Sequence, residues 1–180
     1  MFTKENAEAY FVYSKTIGLV FLIIGAAAIL VAGGLCIWGK TPLLKGVALG
    51  LILMSIFQLF FGYKEYSQSD SQRKAVIYQM SLDPESVKNK ALIKAHNIAR
   101  LSTYATYAFI TIGITGLLLL IKFGYITPDI NNNKTQLLKG IGIGILLQSV
   151  LCLMGNGAFD IQTRKYIKGL NSYLNNSNMQ

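Results

Sequence analysis

The chain has 180 residues, 52% of them hydrophobic and 14% charged, with a formal net charge of +9. Together with a mean hydropathy of +0.43, this places it outside the range of a soluble domain of this size. An excess of Lys and Arg in so apolar a chain points to anionic lipid headgroups rather than nucleic acid, and no nucleic-acid motif opposes that reading.

Four stretches carry no Asp, Glu, Lys or Arg. They are 16–39, 46–63, 101–121 and 140–159, of 24, 18, 21 and 20 residues. A bilayer core of about 30 Å takes about 20 helical residues, so each stretch can cross once, the second with little to spare. Helix is the expected form because lipid satisfies no backbone groups. The first stretch follows MFTKENAEAYFVYSK, in which Glu5 and Glu8 offset Lys4 and Lys15, and it is too long for a signal-peptide h-region. It is read as a retained span.

After the second stretch, residues 64–80 contain no Gly or Pro, so the helix is expected to continue past the membrane. A turn is expected at 81–83, with Asp83 capping a new helix that has Pro84 at its first position. That helix runs through Val87, Leu92, Ile93, Ile98 and Leu101 into the third span, making a cytoplasmic hairpin that extends the second and third spans. Beyond the fourth span, Gly169 and NSYLNNSNMQ predict fraying and a polar end.

The segments KTPLLKGVALGLILMSIFQL at 40–59 and KTQLLKGIGIGILLQSVLCL at 134–153 match at ten of twenty positions at an offset of 94. Tyr10 and Tyr13 recur as Tyr104 and Tyr107 at the same offset, so the repeated unit holds two spans. Units of two spans enter the membrane in the same direction, giving a pseudo-twofold axis along the membrane normal. The expected fold is an all-α membrane protein of four spans, at about 16–39, 43–63, 104–122 and 137–158. Its parts are a first repeat with its helical extension (1–80), the hairpin turn and second arm (81–103), and a second repeat with a tail helix (104–180). Twelve Lys and Arg fall on the side of the termini and hairpin and five on the other, which places both termini in the cytoplasm. Usage of Lys, Asn, Ile and Tyr points to an AT-rich genome and a bacterial inner membrane.

Steps of four along the second span give Gly46, Gly50, Met54, Gln58 and Gly62; along the fourth they give Gly140, Gly144, Gln148, Cys152 and Asn156. Glycines spaced by four let helix backbones approach, so Gly46, Gly50, Gly140 and Gly144 are the expected packing ridge at the axis. Gln58, Gln148 and Asn156 are the candidate polar groups within the membrane. Their simplest role is hydrogen bonding between helices; lining a narrow path is the alternative. Ser55 and Ser149 match across the repeat but point away from the glycines, towards their own backbone or the other spans.

Catalytic and metal chemistry find little footing. The single histidine, His96, is placed on a solvated face, and Cys36 and Cys152 are expected to be too far apart for a disulfide. Asp129 and Asn131–Asn133 offer oxygens without calcium-loop spacing, and Asp160 with Arg164 reads as an exposed helical ion pair. No span holds an ionisable group of the kind that coupled transporters use. The expectation is therefore a non-enzymatic interaction or scaffold protein without cofactor: an accessory subunit, assembly factor or immunity-type protein that meets a protein partner or a second copy of itself in the lipid bilayer. An oligomeric channel or facilitator for a small polar solute is the alternative, and a membrane enzyme has the least support.

Overall fold

The computed structural model describes residues 2–82, 84–126 and 132–177. It is helical throughout: α1 (Lys4–Trp38), α2 (Pro42–Leu82), the single turn α3 (Pro84–Ser86), α4 (Ile93–Ile121) and α5 (Asn133–Ser177). Wider π-helical turns over Val87–Leu92 and Lys122–Ile126 lead into and out of α4. Thr3 starts α1 through a capping box: its hydroxyl accepts from the Asn6 amide, and its own amide donates to Asn6 Oδ1 at 2.9 Å. With no breaker after Tyr63, α2 runs on to Leu82, and the chain resumes as helix at Pro84. Asp83, Asp129 and Asn131 lie outside the described residues.

Four helices are long and apolar enough to cross a membrane. Their outward faces carry Leu30 (77% exposed) and Met154 (70%), which water would penalise and lipid does not. α2 packs along both α1 and α5, α4 packs along α5, and α1 leans lightly on α5; α2 and α4 hardly meet. The rings of Phe61 and Phe109 cross that gap with centroids 6.4 Å apart.

The largest core lies where the helices extend beyond the charge-free stretches. Tyr10 and Phe11 of α1, Val76 and Met80 of α2, Val87 and Ala91 before α4, and Tyr166, Leu170 and Leu174 of α5 form it together. This corrects the expectation of a fraying tail: α5 continues to Ser177 because Leu170 and Leu174 are buried, and Gly169 lies against the Phe2 ring. Packing supplies the helix stability that local sequence there lacks.

Candidate functional site

The matching segments meet face to face. A Cβ placed on Gly50 would lie 2.6 Å from the Ile141 carbonyl oxygen and 3.1 Å from Gly144 Cα; one on Gly144 would lie 2.5 Å from the Val47 oxygen and 3.0 Å from Gly50 Cα. Gly46 meets the Leu137 carbonyl, and Gly140 meets that of Leu43. Every one of these contacts has its counterpart at the offset of 94. All four ridge glycines are thus in one seam, where only hydrogen at Cα leaves room for the neighbouring backbone.

Below the glycines, Gln148 Nε2 donates to Gln58 Oε1. Both residues are 1% exposed, so the amide pair is closed from outside. The expected ridge does not hold to its end. Gly62 packs on α1, where an added Cβ would lie 3.0 Å from Leu22 N, and Asn156 turns to α4. A row of spacing four drifts by about 40° per step on an α-helix, so five members cannot all face one neighbour.

Asn156 Nδ2 donates to the Ser102 carbonyl at 2.9 Å and to Thr106 Oγ1 at 2.8 Å, while its Oδ1 accepts from Ser102 Oγ at 3.2 Å. It occupies the position that Gly62 holds in the first segment, so the two units close differently: one by backbone contact with α1, the other by an amide bonded to α4. Ser149 Oγ donates to the Ile145 carbonyl at 2.7 Å, and its Cβ faces Gly113 of α4. Ser55 is buried, with its carbonyl beside Gly25 of α1. Ser149 thus points away from the seam, as its phase requires.

A cavity of about 170 Å³ lies between α2 and α4, walled on its other sides by α1 and α5. Gln58, Phe21, Phe61 and Phe109 line its end within the charge-free stretches, with Asn156 and Ser102 beside them, and Lys64, Gln68 and Lys94 line the end beyond those stretches. Sequence reasoning missed Glu65 on the same wall. It follows Lys64, just past the apolar stretch, and Ser14 of α1 donates to its carboxylate. Burial raises its pKa above the ordinary glutamate value, with the Ser14 hydrogen bond and the Lys64 charge opposing the rise. Asp70, about half exposed, shows the reverse: the hydrogen bond from Lys15, 2.5 Å away, lowers its pKa.

The aromatic fastening at the same end was also missed. Tyr10 and Tyr166 stack with centroids 4.2 Å apart and planes within 3°, and Phe11 meets Tyr166 edge-on. Thr163 Oγ1 donates to the Phe159 carbonyl, so the Tyr10 hydroxyl, 3.1 Å away, donates to Thr163. Burial pushes the Tyr10 phenol up to about 12. Sequence gave no periodic signal for this pairing, because the partners stand 153 or more positions apart.

Other candidates stay apart. Cys36 is exposed and Cys152 buried, both as free thiols, and His96 is exposed. Asn132 spends its oxygen capping α5, accepting from Lys134 N at 3.0 Å. Asp160 and Arg164 pair at 2.6 Å, with the Arg164 side chain exposed and that of Asp160 largely covered. Among the described residues, no cluster of His, Cys, Asp and Glu could hold a metal ion. Compared with protein-family models, with curated proteins and with solved structures, the chain finds no match in any of the three.

Proposed function

We propose that this chain is a small integral membrane scaffold that recognises a protein partner within the bilayer, as an accessory subunit, assembly factor or immunity-type protein does, with no catalytic role. The observation that carries this reading is the α2–α5 seam: backbone meets backbone at Gly46, Gly50, Gly140 and Gly144, and the amides beneath bond to each other. A seam closed in that way suits a rigid platform. It suits a conducting path poorly, since Gln58 and Gln148 present their paired atoms to one another.

In this reading the two segments are a tandem repeat of parallel two-span units about a pseudo-twofold axis normal to the membrane. Reciprocal glycine contacts at the offset of 94 support that symmetry. The end holding the aromatic fastening and the α2–α4 hairpin faces the cytoplasm of a bacterial inner membrane, which the distribution of Lys and Arg supports. In a Cys36→Ser background, a cysteine at position 132 should label from outside intact cells and one at position 81 should not; the opposite pattern reverses the topology.

For the function itself, photocrosslinking residues at Leu30 and Leu118, which face outward on α1 and α4, should trap one protein in high yield from a single face. Adducts to lipid alone at both positions, together with solute flux in liposomes that Gln148→Leu abolishes, would replace the scaffold by the facilitator.

A further inference from the structure

The cavity between α2 and α4 contains a donor with nothing to donate to. Gln58 is 1% exposed and lines the end within the charge-free stretches; its Oε1 accepts from Gln148, and its Nε2 has no partner. Buried amide hydrogens are almost always bonded, so the site asks for an acceptor. The neighbouring polar groups do not supply one. Asn156 is committed to Ser102 and Thr106, and Glu65 to Ser14.

Around this amide the walls are rings and short apolar groups: Phe21, Phe61, Phe109, Ile17 and Ala105. A space of about 150 Å³ lined in this way admits benzene. The cavity's 170 Å³ therefore takes one ring and a short substituent. A carboxylate beside the amide would lose its hydration for a single neutral donor, since Lys64 stands six residues further along α2 and Lys94 eleven before Ala105 on the α4 side. A hydroxyl would bring a proton of its own to be placed among phenylalanine rings. A ketone or ester oxygen needs only what Gln58 offers. α2 and α4 hardly meet, and between them the cavity is faced by the Phe61 and Phe109 rings, whose centroids stand 6.4 Å apart.

We propose that this cavity is a binding site for a small neutral amphiphile, an aromatic or branched apolar body carrying a carbonyl oxygen that accepts from Gln58 Nε2. The inference goes beyond the scaffold reading and does not depend on it.

Acetophenone and cumene test it, since they share size and shape and differ by an acetyl against an isopropyl group. Acetophenone should raise the melting temperature of the detergent-purified protein saturably, and bind about three- to tenfold more tightly than cumene, as one buried hydrogen bond allows. Gln58→Leu should erase that preference. Ala105→Leu, which fills the cavity and leaves both glutamines in the chain, should remove saturable binding of both, and it keeps the test open if Gln58→Leu does not fold. Equal binding of the two probes to the native protein would overturn the proposal. So would no saturable binding of either, which would leave the amide to water, and so would a preference that survives Gln58→Leu or binding that survives Ala105→Leu.

Discussion

Where α2 crosses α5, four glycines bring backbone against backbone; where the helices extend beyond their apolar stretches, Tyr10, Phe11, Tyr166 and Leu170 bury large side chains among one another. The contrast follows from the solvent each region meets. Lipid tails are as apolar as leucine, so burying a large side chain inside the bilayer gains little and close approach of small residues must hold the helices. Water returns the hydrophobic driving force, and the extended ends use it. One bundle thus obeys two packing rules along its own length.

The strongest way to break this comparison is to crowd the seam. Gly144→Leu would drive a side chain into the Val47 carbonyl and should cost about 3 kcal/mol or more, whereas Gly33→Leu enters open space and should leave thermal unfolding in detergent near native. Equal tolerance of both would remove the seam from the account. Next in size, Leu170→Ala should cost about 2–5 kcal/mol by leaving a hole in the fastening, read as a lowered midpoint in the same assay.

A smaller effect separates polar pairing from packing. Gln148→Leu alone should cost about 1–2 kcal/mol by stripping Gln58 of its bond, and the double change Gln58→Leu with Gln148→Leu should cost less than the sum of the single ones. Additive losses in the double-mutant cycle would mean that the two amides do not interact.

The smallest effect is electrostatic. Because the folded-state pKa of Glu65 is raised, its contribution to stability is full below the ordinary value of 4.5 and declines as pH rises through the folded value. Glu65→Gln should therefore raise the melting temperature by a few degrees near pH 7, and the gain should vanish near pH 4. A gain of the same size at both values would point to packing rather than charge.

Much of the seam was legible because glycine spacing and amide position are local, periodic signals. Ridge membership could be read at Gly46, Gly50, Gly140, Gly144, Gln58 and Gln148, and it failed at Gly62 and Asn156, where drift around the helix turns a residue to another neighbour. Glu65 escaped notice because a residue two positions past a charge-free stretch looks solvated until α1 covers it. The tail was misread for a related reason: Gly169 and the asparagines have weak helix propensity, and what holds them is the contact of Leu170 and Leu174 with residues far off in sequence. Tyr10 and Tyr104 occupy equivalent positions in the two segments, yet the first is 8% exposed and the second 61%. Equivalence in sequence did not reveal which copy would find a partner.

The stack of Tyr10 on Tyr166 also imposes an order on synthesis. Tyr10 leaves the ribosome with its neighbour Phe11 and must wait for Thr163, 153 residues later, before its hydroxyl has a partner. At roughly 5–20 residues per second, that wait is on the order of 8–30 s. Throughout it, the aromatic face of α1 lacks Tyr166, Leu170 and Leu174, so α5 acts as a latch that closes on α1 once it has been made.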